Sequence, residues 1–169
     1  MRAICPHCQM ESFAAEKLMG AFAPSFVSLS ILVVEKDRDL CDTFEQVLTH
    51  DGHTVRVANS LEAACRDLER STFDVMFLNI NTVEVVPGHV LSVLTRHQGR
   101  PPEVVLVGEF IGRPDGALLH SYGATVSLAT PFGSIELRSA VARAFGPRYL
   151  ENMKNKRASN RSASEAVES

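Results

Sequence analysis

Phe73-Asp-Val-Met-Phe-Leu-Asn79 decides the fold, together with Ile31-Leu-Val-Val-Glu-Lys-Asp37 upstream and Val104-Val-Leu-Val-Gly108 downstream. Each holds a short apolar run that stops at a polar residue or a glycine. Such runs, without polar alternation, read as strands buried on both faces of a sheet. Thr54-Val-Arg-Val-Ala58 and Ala124 to Leu128 supply two more strands.

Helical patterns separate these runs. Leu40, Phe44, Val47 and Leu48 recur at helical spacing, and Asp51-Gly52 closes that helix. Leu61, Ala64, Cys65 and Leu68 form a second stripe, and a loop to Gly88 leads into a third with Val90, Leu91 and Leu94. A short helix from Ala117 to Tyr122 ends at Gly123. Leu137, Val141 and Phe145 stripe a last helix, expected to end at Gly146-Pro147. Strict strand–helix alternation predicts an α/β fold with a parallel sheet covered by helices on both faces. Right-handed crossovers favour a flavodoxin-like, doubly wound, five-stranded topology. Functional groups of such sheets sit at the carboxyl ends of the strands. Those positions follow Val34, Leu78, Val107 and Leu128.

The sequence therefore divides into a leader (1–28) with Cys5-Pro-His-Cys8, an α/β domain (29–147), and a polar tail (148–169) expected to be disordered. At 169 residues, 45% apolar and 22% charged, the chain has the composition of a soluble globular protein. A net charge of −3 with both signs scattered gives no footprint for nucleic acid or an anionic membrane. Leu18 to Val34 is uncharged, but it is short for a membrane span, interrupted by Pro24 and diluted by serines. Glu11 and Glu16 precede it, against a signal peptide. Four cysteines, unevenly spread, do not make a secreted disulfide scaffold, and a reducing cytoplasm is the expected setting.

The order and spacing of these segments, with Gly123-Ala124 and Ala129-Thr-Pro-Phe132, resemble the response-regulator receiver domain of two-component signalling. The resemblance implies five groups meeting at the strand ends: two adjacent acids holding magnesium, an aspartate that accepts a phosphoryl group, a Ser or Thr that senses it, and a Lys before Pro-Phe. This sequence places Glu35 and Lys36 at the acid pair, Asn79 at the acceptor, Gly108 at the sensor and Thr130 at the Lys. Ser127 stands where many receivers carry a switching aromatic. An ammonium beside Glu35 repels magnesium, which wants hard oxygen ligands. A carboxamide cannot form the acyl phosphate of a carboxylate nucleophile. Shifting the acceptor to Asn81 still supplies an amide. Asp37 is expected to cap the first helix.

The expected function is a phosphorylation-independent pseudo-receiver: not an enzyme, without a cofactor or metal, acting by binding a protein partner or a second copy of the chain. Either Lys36 supplies an internal positive charge that locks the pocket around Glu35, or the pocket has drifted. The resemblance places the interaction face near Leu118 to Tyr122 and Ile135 to Phe145, with Arg138 and Arg143 as its charges.

Another reading uses Cys5 and Cys8, with His7, as a zinc or redox centre in a metal- or thiol-dependent regulator. A closed zinc site needs four ligands, and no second Cys pair follows; Cys65 reads as core. Most of the six histidines sit near expected helix ends or loops, where exposed polar roles are the default. A small enzyme on this fold is a third class. Against it, the sequence has no P-loop, no Gly-x-Gly-x-x-Gly fingerprint and no Gly-x-Ser-x-Gly elbow.

Overall fold

The computed structural model describes residues 28–81, 86–96, 99–112 and 114–167. Cys5, His7 and Cys8 lie outside the described residues. In chain order the elements are β1 (Ser30–Val34), α1 (Arg38–His50), β2 (Thr54–Ala58), α2 (Leu61–Arg70), β3 (Val75–Asn79), α3 (Pro87–Arg96), β4 (Glu103–Gly108), α4 (Gly116–Ser121), β5 (Ala124–Ala129) and α5 (Ser134–Val167). The five strands form one parallel sheet in the order β2-β1-β3-β4-β5. This is the predicted flavodoxin-like topology. The chain reverses its winding direction between β1 and β3, which opens a crevice at their carboxyl ends.

The period-two geometry of the strands explains why the runs must be apolar throughout. Leu32, Val34, Met76, Leu78, Val104 and Leu106 face one side and pack with Leu61, Ala64 and Leu68 of α2 and Val90 and Leu94 of α3. Ile31, Val33, Val75, Phe77, Val105 and Val107 face the other and pack with Phe44 and Leu48 of α1 and Leu137, Ala140, Val141 and Ala144 of α5. Phe44 stacks obliquely on Phe77, with ring centroids 5.0 Å apart, and on Phe132 at 5.2 Å.

Helix ends follow local chemistry. Asp37 caps α1 as expected: its Oδ1 accepts from Asp39 N at 2.9 Å and Leu40 N at 3.1 Å. Ser60 Oγ and Asp115 Oδ1 do the same for α2 and α4. Gly52, at φ +86°, takes the left-handed turn out of α1 that a side chain disfavours.

Two expectations are corrected. The last helix does not stop at Gly146-Pro147: α5 continues to Val167 with Pro147 inside it. Pro147 removes one helical donor, but tertiary contacts beyond it hold the chain. Arg148 is buried, and its Nη1 donates to the Asp74 carbonyl at 3.0 Å. The Tyr149 ring lies 6.5 Å from that of Phe145. Contacts with the domain thus continue past 147. At the other end of the described stretch, Ser28 Oγ donates to the Gly52 carbonyl at 2.8 Å. Finally, His53 is not an exposed loop residue. It is 6% exposed, and its Nδ1 accepts from Leu29 N at 3.3 Å.

Candidate functional site

The crevice between β1 and β3 brings Glu35 and Asn79 together. Glu35 directly follows β1, where parallel pairing continues for one more bond: Glu35 N donates to Ala58 O at 3.0 Å. The backbone thereby turns the side chain inward, and Glu35 is fully buried. A buried carboxyl group needs hydrogen bonds to replace water. Its Oε1 accepts from Lys36 N at 2.7 Å and Asp37 N at 2.9 Å. Its Oε2 accepts from Asn79 Nδ2 at 2.6 Å.

Asn79, the last residue of β3, is 2% exposed and bonded at both ends of its carboxamide. Its Oδ1 accepts from Asn81 N at 2.9 Å. The Asn81 side chain then reaches across to the end of β4, where its Oδ1 accepts from Glu109 N at 2.7 Å. One chain of polar contacts therefore runs from Glu35 through Asn79 and Asn81 to the start of the β4–α4 loop. Gly108 lies beneath it. A Cβ there would overlap Asn81 Oδ1 and stand 3.1 Å from Ile80 Cγ1, so the Asn81 side chain fills the space a larger residue 108 would need.

Thr130 sits at the end of β5, half-buried, before a cis Thr130-Pro131 bond, and its backbone N donates to Gly108 O at 2.9 Å. Lys36 joins the pocket through its main-chain N–H, while its side chain is exposed. Lys36 thus meets Glu35 through its backbone, and the side chain that meets Glu35 is that of Asn79. All five positions singled out in the sequence lie at strand ends, and the structure brings Glu35 and Asn79 into direct contact. Sequence reasoning weighed Asn81 only as another acceptor position. Nothing local to Asn81 distinguishes it, because its partners Gly108 and Glu109 lie almost thirty residues away.

Beside the pocket, an open hollow of about 330 Å³ lies between the ends of β1 and β2 and the first turns of α1. Its walls mix the acids Glu35, Asp42 and Glu45 with Lys36 and Arg38. Cys41 also lines it, with Sγ donating to the Glu35 carbonyl at 3.6 Å. Burial first, and then the negative charge of Glu35, pushes the Cys41 thiol above its ordinary pKa. Burial does the same to Cys65, which packs against the core as expected. Neither has the lowered pKa of a reactive thiol.

The comparisons with known proteins agree with this geometry. The model of the response regulator receiver domain matches residues 31–142, and the chain belongs to that family. Among solved structures, NtrX from Brucella abortus is 18% identical with a TM-score of 0.63; the match covers 77% of this chain and 29% of that one. Chemotaxis protein CheY4 from Vibrio cholerae is 18% identical, with a TM-score of 0.61 over 70% of this chain and 99% of that one. A CheY-like response regulator receiver domain protein from Methanospirillum hungatei is 16% identical, with a TM-score of 0.63 over 74% and 99%. The chain therefore spans under a third of NtrX and nearly all of the two CheY-like proteins. No curated protein sequence matches the chain. It is a receiver domain of the two-component type, a class that works through contacts with other signalling proteins.

Receiver chemistry implies magnesium at the strand ends, and the residues present do not fit it. Magnesium needs several hard oxygen ligands in octahedral array. Glu35 is the acid buried there, and three N–H groups already point at its two oxygens. Asp37 turns its Oδ1 to the helix cap. Among the described residues, no cluster of three or more His, Cys, Asp or Glu is arranged to hold a metal ion. Among the described residues too, no helix is long and apolar enough to cross a membrane.

Proposed function

We propose that this receiver domain is a phosphorylation-independent pseudo-receiver that acts by binding a protein partner, without catalysis. The observation that carries it is the 2.6 Å bond from Asn79 Nδ2 to Glu35 Oε2. It puts an amide where the family's nucleophile stands and spends the remaining acid on that amide. An amide nitrogen or oxygen so engaged offers no carboxylate to attack a phosphodonor. Lys36, Gly108 and Thr130 remove the metal partner, the sensing hydroxyl and the neutralising ammonium separately, so restoring one residue does not rebuild the reaction.

The interaction face expected around α4, β5 and α5 offers exposed Leu118 and Ile135. Arg143 is the exposed charge on α5 that probes it, since Arg138 is engaged elsewhere in the fold.

The test is intact-mass spectrometry after incubating the full chain with magnesium and acetyl phosphate. The expected result is an unchanged mass for the wild type and for Asn79→Asp. A phosphate adduct on the wild type that Asn79→Ala abolishes overturns the reading. Partner capture with the intact chain, compared with Arg143→Glu, then tests the binding role: retention of every partner by the variant removes this face from the proposal.

A further inference from the structure

The strongest unexplained feature is the pairing of Asn81 with Gly108. Asn81 is the second residue beyond β3 and is exposed, yet its side chain is hydrogen-bonded within the fold. Its Oδ1 accepts from Glu109 N at 2.7 Å, joining the loop after β3 to the loop after β4. Its own backbone N is held by Asn79 Oδ1 at 2.9 Å, so the reaching side chain starts from a fixed point. The space it enters exists only because residue 108 has no Cβ. In the family that space belongs to the sensing hydroxyl and the phosphoryl oxygen it meets. Here an acceptor oxygen already stands there, attached to the chain itself.

Resting on the pseudo-receiver reading, we propose that Asn81 is a built-in ligand of the switch: its side-chain oxygen takes the place of a phosphoryl oxygen at the end of β4. It ties the start of the β4–α4 loop to β3 without any covalent modification. The physical logic is that of preorganisation. A carboxamide oxygen is a neutral acceptor with two lone pairs, held at hydrogen-bond distance by a short side chain. It needs no magnesium and no cation to neutralise it, which matches a pocket holding neither a second acid nor the Lys. Glycine at 108 and asparagine at 81 are then two halves of one device, not separate losses. Loop residues Glu109 to Ile111 inherit their position from it. Ile111, fully exposed, is the apolar group this arrangement displays.

The experiment is amide hydrogen exchange of Glu109 and Phe110 by NMR on the full chain, in a double-mutant cycle of Asn81→Ala and Gly108→Ala. Loss of one hydrogen bond of ordinary net strength is expected to speed exchange of the Glu109 amide roughly five- to tenfold in Asn81→Ala. Gly108→Ala is expected to do the same when Asn81 is present, and to have a clearly smaller effect when Asn81 is already alanine. The contact with Ile80 Cγ1 is common to both backgrounds and cancels in the cycle.

Equal effects of Gly108→Ala in the two backgrounds overturn the proposal, as does unchanged Glu109 protection in Asn81→Ala. If Gly108→Ala folds only in the Asn81→Ala background, the complementarity is supported. If it folds in neither, the exchange of Asn81→Ala alone decides. A phosphate adduct on the wild type would remove the pseudo-receiver reading while leaving these exchange rates untouched, so the two failures are distinguishable.

Discussion

Arg138 on α5 grips Asp51 at the end of α1 with both arms of its guanidinium, Nε to Oδ2 at 2.7 Å and Nη2 to Oδ1 at 2.9 Å. The residues are 87 positions apart and join the two helices that cover one face of the sheet. Bidentate geometry is the strong form of this interaction. Even so, both partners touch solvent, so its worth is held to about 1 kcal/mol. Arg138→Ala or Asp51→Ala is expected to lower the unfolding free energy by about that amount, read from urea denaturation. The double variant should cost little more than either alone. Arg138 is therefore a poor probe of partner binding, since reversing its charge loosens the domain itself.

His53 predicts a pH dependence. Burial pushes its imidazole below the ordinary histidine pKa, against the opposing pull of Asp51 and Asp74. The neutral ring is the form that accepts from Leu29 N. The unfolded chain binds this proton near pH 6.5, and the folded chain only at lower pH. The stabilisation is thus complete above about pH 6.5 and is lost as pH falls from there through the lowered folded value. Chemical denaturation at pH 7.5 and pH 5.5 is expected to show a drop for the wild type that is reduced in His53→Asn. An undiminished drop in that variant would assign the dependence to other groups.

Asn79 predicts opposite behaviour for two substitutions. Asn79→Ala leaves buried Glu35 short of one donor and should cost about 1–3 kcal/mol at any pH near neutrality. Asn79→Asp places a second carboxyl oxygen at the 2.6 Å position now held by Nδ2. Two acids so close share a proton, and the folded pair titrates at a raised pKa. Protons bound more tightly in the folded state make stability fall as pH rises through the carboxylate range. Asn79→Asp is therefore expected to be closest to wild type near pH 4–5 and roughly 2 kcal/mol or more below it at pH 7.

The continuation of α5 predicts where the chain can be cut. Ending it after Leu150 keeps Arg148 on the Asp74 carbonyl and Tyr149 beside Phe145. Ending it after Gly146 removes both contacts. The shorter chain is expected to be about 1–3 kcal/mol less stable than the one ending at Leu150, as read from thermal or urea unfolding. Equal stability of the two would show that Arg148 contributes nothing to the fold.

The strands were legible because burial on both faces leaves one kind of pattern, as in Val104 to Val107. The site positions followed from topology, since Glu35, Asn79, Gly108 and Thr130 all directly follow or end strands. The contacts among them were not legible. Lys36 looked like the internal partner of Glu35 because it is adjacent in sequence and carries the right charge. A side-chain partner of Glu35 is Asn79, 44 residues away, brought in by strand pairing. Gly146-Pro147 looked like a helix end because local rules make it one. A buried arginine beyond it, bonded to a carbonyl 74 residues back, outweighs the local preference. His53 was misjudged for the same reason, since its partner Leu29 lies 24 residues upstream.

Asp74 stands at the opposite end of β3 from Asn79 and serves three segments at once. Its Oδ2 accepts from Ser30 N, its own N donates to Ser30 O, and its carbonyl accepts from both Glu103 N and Arg148 Nη1. The entrances of β1, β3 and β4 are thereby sewn together with the last helix, about one strand length away from the crevice. Anchorage and chemistry occupy opposite rims of the same sheet. A receiver built this way can exchange every reactive group at one rim and still fold by the other, leaving its outer surfaces in place for a partner to read.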